Sequence, residues 1–317
     1  MYSTILALSC LRHSLRASRA RLICEFVNRF DVVPLSRLIV DSKDNPTMFG
    51  LIPYNIRQPE QDRGLANDAS SPMSDAESHS TIIPPSNSVH FYIVDDSPNS
   101  VAKFARWLTV VPVNWTDRNL IVAQQHQPEY SVIVKHWEIF GQSMNYRVPD
   151  DEQPCTTLIC SYATIAEIHE MVLPTLDADF KLDQLTSCDV QSVCKTWPYT
   201  YDGVEVVFTH LFAKLPTSCI RNRATGSTVA HVMTNRCGTI GALFVQPDFR
   251  KRGFGQIVIA DLVRKMHGLQ IKPILAEIAP GNDGALQFFS KLGFVDAKRP
   301  TFWTQKIAEA TNAIDTF

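Results

Sequence analysis

The chain has 317 residues, 45% hydrophobic and 20% charged, and its 30 Lys and Arg nearly balance its 32 Asp and Glu to a formal charge of −2. That is apolar material for one or two sizeable cores. No apolar run approaches the roughly 18 residues that cross a bilayer, and the basic residues near Arg250 are too local for a nucleic-acid-binding face, so neither a membrane nor a nucleic acid is an expected partner.

At the start, Arg12, Arg16, Arg19 and Arg21 stand among serines with no acid before Glu25, while Leu8, Leu11, Leu15 and Leu22 recur at helical spacing. Two readings stay open: a mitochondrial transit peptide within an N-terminal segment of residues 1–52, or an ordinary surface helix, which leaves the cytoplasm as the alternative location. Residues 53–88 are rich in Pro, Ser, Asn, Asp and Gln and read as a disordered linker, with His79 solvated.

Residues 89–180 form a first folded half. Strands are expected over 89–94, 120–123 and 157–160, an amphipathic segment up to Trp107, and a helix over 164–173 stopped by Pro174. Trp107, Trp115 and Trp137 are expected to fill its core. The eight cysteines, Cys10, Cys24, Cys155, Cys160, Cys188, Cys194, Cys219 and Cys237, include no C-x-x-C, so zinc and redox-dithiol readings lack their spacing and free thiols in a reducing compartment are expected. No metal is called for. The triplet Asn114-Trp115-Thr116 has no secretory signal to make it a glycosylation site.

A break near 180–185 leads into a second half, residues 181–306, followed by a tail over 307–317. Helices are expected over 188–197 and 204–215, then strands over 218–222, 229–233 and 239–245. Pro247 ends the last strand because proline has no N–H for the ladder. After the basic run Arg250-Lys251-Arg252, apolar residues at Phe254, Val258, Leu262 and Met266 mark a helix that begins at the glycines Gly253 and Gly255. A helix start offers unpaired N–H groups and the positive end of the dipole, two glycines leave room for a phosphate, and three cations add charge. This is a pyrophosphate seat. It carries neither G-x-G-x-x-G nor G-x-x-x-x-G-K-S/T, which removes the dinucleotide and nucleoside-triphosphate readings. A strand over 274–278 follows, and Asn282 can cap a helix through Ala285, Phe288, Phe289 and Leu292 that Gly293 ends.

Arg250, Gly253 and Gly255 resemble the Q/R-x-x-G-x-G/A acyl-CoA loop of the GCN5-related N-acyltransferases (GNAT), and Asn282, Ala285, Phe288, Phe289, Lys291, Gly293 and Phe294 resemble the second motif of that superfamily. The implied fold is α+β, a mixed and mainly antiparallel sheet flanked by helices, with a divergent GNAT-like first half. Asp189-Val190, Trp197, Pro216-Thr217-Ser218-Cys219 and Pro247-Asp248-Phe249-Arg250 look like the glycine N-acyltransferase family, most clearly from about Leu182 to Trp303. That resemblance implies transfer of an acyl group from acyl-CoA, as co-substrate, to the amine of glycine or another small amino acid, often in mitochondria. It also implies cofactor contacts from the backbone of Leu243, Phe244 and Val245, from the loop Arg250, Lys251, Arg252, Gly253, Phe254, Gly255 and Gln256, and from Asn282.

The acceptor ammonium must lose a proton before it attacks, so a base is needed. Glycine-conjugating members carry an acid at the start of the central strand, where this chain has Thr239. His231 and Glu277 are the two substitutes, both near the expected acyl centre. The tyrosine that protonates the leaving thiolate in many GNAT enzymes is replaced by Phe289. For an acceptor carboxylate, Arg221, Arg223, Arg236 and Arg299 are available and the sequence does not choose among them. Two rivals stay open: a protein or peptide N-acetyltransferase, and a catalytically weakened acyl-CoA-binding regulatory protein.

Overall fold

A computed structural model of the chain describes residues 36–40, 48–53, 88–93, 97–111, 113, 115, 121–125, 127, 129–141, 146–147, 153–200, 203–298, 300–305 and 307–308. The Arg-rich start and the polar stretch over 54–87 lie outside the described residues.

Two strands fall within the expected N-terminal segment, β1 (Ser36–Val40) and β2 (Met48–Pro53), and pair antiparallel with each other and on to β3 (Ser88–Ile93). Helix α1 (Pro98–Leu108) starts at Ser97, whose side chain accepts from the Ser100 N–H, with Pro98 at a position that needs no N–H. β4 (Ile121–Gln125) lies parallel to β3, and α2 (Glu129–Gly141) follows. Phe91 sits at the centre of the first core, its ring 6.0 Å from those of Phe104, Trp107 and Trp115. Trp115 is buried and Trp107 packs at the edge of that core, as expected; the side chain of Trp137 is not among those described. The short strand β5 (Tyr146–Arg147) comes after α2.

Next comes β6 (Thr156–Cys160), then α3 (Tyr162–Glu170), which ends before the expected 173. The expected break near 180–185 is in fact the edge strand β7 (Phe180–Asp183), too short to show a period in the sequence. A 3-10 turn at Ser187–Asp189 opens α4 (Val190–Thr196), and Gly203, left-handed at φ +86°, opens α5 (Val204–Lys214). A meander of β8 (Thr217–Asn222), β9 (Thr228–Thr234) and β10 (Thr239–Val245) leads to α6 (Phe254–Gly268), β11 (Ile274–Ile278), α7 (Asp283–Lys291), β12 (Val295–Asp296), β13 (Phe302–Gln305) and β14 (Ile307–Ala308). All seven residues of β9 are buried, so the strand is covered on both faces. α6 packs along β8 and β9 and buries Ile257, Val258, Leu262, Val263 and Met266, one stripe at helical spacing. Gly293 (φ +86°) ends α7 in the left-handed region, with the Phe294 N–H donating to Phe289 O at 3.1 Å, the glycine stop read from the sequence.

The two main sheets exchange strands. The seven-stranded sheet runs β12-β6-β11-β10-β9-β8-β7, so β6, from the first half, is inserted between β11 and β12 of the second. The five-stranded sheet runs β1-β2-β3-β4-β13, so the second half returns β13 to the edge of β4. Beyond it, β14 pairs with β5.

A buried cluster ties α4 to the meander. Asp189 accepts from Arg221 through both oxygens, at 2.8 and 3.0 Å, and from the hydroxyl of Thr228 and the N–H of Thr186. Arg221 also donates to Asp183, Gln184 O and Gly226 O. Burial alone would raise the Asp189 carboxyl, but those donors, Arg221 first, outweigh it and hold it at about 2. Arg221 is therefore a framework residue with its guanidinium fully engaged.

Candidate functional site

The site is a wedge opened in the seven-stranded sheet. β10 and β11 lie parallel and pair only at Thr239 with Leu275 and Ile240 with Ala276. Past Ile240 the β11-facing edge of β10 has no partner in register among the described residues, so its backbone groups are presented to the wedge. On its other side β10 bulges against β9 between Gly241 and Phe244. Ala242 is left-handed there (φ +51°), and a Cβ on Gly241 would lie 2.4 Å from the Asn235 side chain. A bulge re-aims the residues that follow it; these are Leu243, Phe244 and Val245, each half-buried at the mouth of the wedge.

The loop that closes the mouth is held by its own side chains. Gln246 donates to Thr228 O at 2.8 Å, and Arg250 Nε donates to Val245 O at 3.1 Å. The exposed Lys251 is left-handed (φ +61°). Arg252 is paired with Asp177, and its guanidinium carbon lies 5.2, 5.7 and 5.0 Å from the ring centres of Phe180, Phe249 and Phe254. Gly253 (φ +79°) precedes α6, and a Cβ there would meet Pro174 at 2.7 Å. The glycine is demanded by backbone handedness and by that proline. At Gly255 a Cβ would come within 3.3 Å of the Phe288 ring, so the second motif packs on the first turn of α6. The first helical bond is Ile257 N–H to Gly253 O, which leaves the N–H groups of Phe254, Gly255 and Gln256 at the end of the helix without an intrahelical acceptor. The Gln256 amide points to the Met171 sulfur at 3.0 Å. Asn282 caps α7 by accepting from the Ala285 N–H.

Strand register puts Thr239, His231 and Glu277 on the same face of the sheet. Thr239 is buried and receives a hydrogen bond from the Asn235 amide at 3.2 Å, which closes the β9–β10 turn. His231 is 3% exposed, stacks on Phe244 with ring centres 5.7 Å apart, and places Nε2 3.2 Å from the Thr196 hydroxyl. Burial pulls it down to about 4, only partly offset by the Ala242 backbone and Asp189, so it is neutral through the physiological range and a weak base. Glu277 is half-buried on β11, and its carboxylate accepts the Trp303 indole N–H at 3.1 Å. Beside it, the buried hydroxyls of Thr157 and Thr301 lie 3.4 Å apart. The sequence left His231 and Glu277 equal; depth separates them. Phe289 is 3% exposed and packs edge-on to Phe294, so it belongs to the core.

Among the arginines, Arg221 is consumed by the Asp189 cluster and Arg223 Nε donates to Phe180 O at the far edge of the sheet. Arg236 lies in the β9–β10 turn and Arg299 is outside the described residues. Among the described residues no three His, Cys, Asp or Glu side chains converge as a metal site. Trp303 and Thr157, both beside Glu277, escaped the sequence reading, since their place depends on the strand exchange.

The family model described as FR47-like protein matches residues 219–304, from β8 through most of β13. An X-ray structure of a Drosophila protein is similar over 96% of this chain and 95% of its own, with a TM-score of 0.63 at 16% identity. A tandem GNAT protein from the clavulanic acid biosynthesis pathway aligns over 96% of this chain and 93% of its own, with a TM-score of 0.50 at 13% identity. A search of curated proteins gave no match. At these identities the likeness is one of fold: an α+β architecture, with the mainly antiparallel sheet and flanking helices expected from the motifs.

Proposed function

We propose that the protein is an acyl-CoA-dependent N-acyltransferase acting on a small amine, with glycine or another small amino acid as the acceptor class that the sequence resemblance implies. The observation that carries this reading is the wedge itself. An open strand edge after a bulge leads directly into a glycine-opened helix start, one continuous backbone surface for a thioester arm and a pyrophosphate.

In this reading the pyrophosphate meets the N–H groups of Phe254, Gly255 and Gln256, with Lys251 as an exposed cation of the loop. The backbone of Leu243 to Val245 flanks the arm and polarises the thioester carbonyl. Glu277 takes a proton from the acceptor ammonium; the amine nitrogen attacks the carbonyl carbon and gives up its second proton to water, the C–S bond breaks, and the thiolate takes a proton from water. The balance is thioester plus ammonium giving amide, thiol and one released proton. His231 holds the bulge from behind. The same reading sites the enzyme in mitochondria, on the strength of the Arg- and Ser-rich start.

Thiol release from acetyl-CoA and benzoyl-CoA, with glycine, other amino acids and a lysine peptide as acceptors, tests the assignment. Release that depends on a small amine is the expected result. Release with the peptide alone moves the activity to protein acetylation. The buried Thr239 and Phe289 favour one further reading, an acyl-CoA-binding protein without turnover, which tight CoA binding and no release would establish.

A further inference from the structure

We infer that the acceptor is read at the seam between the two sheets, where Glu277 and Trp303 together form a seat for a primary ammonium. Glu277 stands on β11 of the seven-stranded sheet. Trp303 stands on β13, whose ladder partners Ile121, Val122 and Gln125 belong to the five-stranded sheet. The two residues are 26 positions apart in sequence and on different sheets, yet the indole N–H donates to the Glu277 carboxylate at 3.1 Å.

Two further observations support a ligand there. Trp303 is 40% exposed although its polar edge is engaged, so part of a large apolar ring is left open beside a carboxylate. A carboxylate beside an aromatic ring attracts an ammonium twice, by charge and by the ring quadrupole. Thr157 pairs with Glu277, so the floor of the seat comes from β6, the strand lent by the first half.

This inference rests on the acyltransferase reading for its chemistry, but not for its geometry. The ligand class is a primary amine entering as its ammonium, with the adjoining carbon skeleton against the indole. Trp303 is a positioning and specificity residue: its N–H aims the carboxylate, and its ring receives the carbon chain. The proton lost by the ammonium goes to Glu277, as above.

The test uses the full chain and three variants, Trp303→Phe, Trp303→Leu and Glu277→Gln. The probes are glycine, 2-phenylethylamine and 2-phenylethanol, the last having the same body without the ammonium. Binding is read by calorimetry, in the CoA complex and in the CoA-free protein. Turnover is read as separate KM values for amine and acyl-CoA. The parent is expected to bind amines and not the alcohol, and Glu277→Gln to lose at least about tenfold in amine affinity, the scale of one hydrogen bond to a charged group. Trp303→Leu should raise KM for the amine by a similar factor while KM for acyl-CoA stays within about twofold. Amine binding unchanged in all three variants overturns the seat. So does an equal loss of acyl-CoA affinity and thermal stability in both Trp303 variants, which would make the indole a structural clamp between sheets. If CoA itself does not bind the parent, the acyltransferase reading fails, and the CoA-free amine titration still decides the seat.

Discussion

The two ends of the wedge are built from different materials. At the cofactor end, residues 241–256 are contiguous, and what they offer is main chain: an unpaired strand edge, a left-handed glycine and a helix start. At the acceptor end the groups are side chains, Glu277, Thr157 and Trp303, drawn from separate elements and from both halves of the chain. A backbone site tolerates wide change in side chains so long as its turns are kept. A side-chain site depends on every element that brings it together, and so on the framework beneath.

That contrast can be attacked in order of expected effect. Replacing Arg221 by Met strands the buried Asp189 charge and should cost about 3–5 kcal/mol in urea unfolding, as removal of one partner of a buried pair does, with CoA affinity of the folded fraction unchanged. A loss below about 1 kcal/mol, the range of a surface pair, would mean that the cluster does not hold the framework.

Acid should weaken the protein in two windows. His231 has its folded value depressed from 6.5 to about 4, so the unfolded chain binds the extra proton first, and stability present above about 6.5 is lost as pH falls to about 4. This amounts to about 3 kcal/mol. Asp189, lowered from 3.8 to about 2, then loses about 2 kcal/mol across that lower window. A His231→Gln variant should lose the upper window only, and a melting-temperature profile against pH that is unchanged by it would contradict the buried neutral histidine.

Gly253→Ala tests the backbone end. The left-handed conformation alone costs about 1–2 kcal/mol for a residue with a Cβ, and the contact with Pro174 adds to it. The expected result is a lower melting temperature together with acyl-CoA binding weakened at least tenfold by calorimetry. Unaltered affinity would detach the loop from the cofactor. The smallest effects belong to the loop cations. Arg252→Ala removes an exposed ion pair and ring contacts, a change of about 1 kcal/mol or less. Lys251→Ala should leave stability intact and reduce the salt dependence of CoA binding.

The same division explains what the sequence disclosed. β10, α6, β11 and α7 could be read almost to the residue, because an apolar run, two glycines and a capping asparagine are local signals. The reason for one glycine was hidden: Gly253 borders Pro174, 79 positions away, and no spacing rule announces that contact. Arg252 reads as a phosphate cation in a basic run but is caught among Phe180, Phe249 and Phe254 once β7 lies alongside. β7 itself has four residues and no period. The acceptor seat was the least legible part, since Glu277 meets Trp303 only after two sheets have traded strands, and strand partners across more than a hundred residues leave no mark in local pattern.

The strand trade also sets an order of events at the ribosome. β6 is synthesised long before β11 and β12 exist to enclose it, and β4 long before its partner β13. Until residues 302–305 leave the exit tunnel, β4 lacks that partner and presents a bare sheet edge, the feature that most readily recruits another chain. Neither half can finish alone during translation, and the nascent protein needs shielding along β4 until β13 has paired. Truncation just before residue 302 should therefore promote aggregation, although it leaves every residue of the cofactor loop in place.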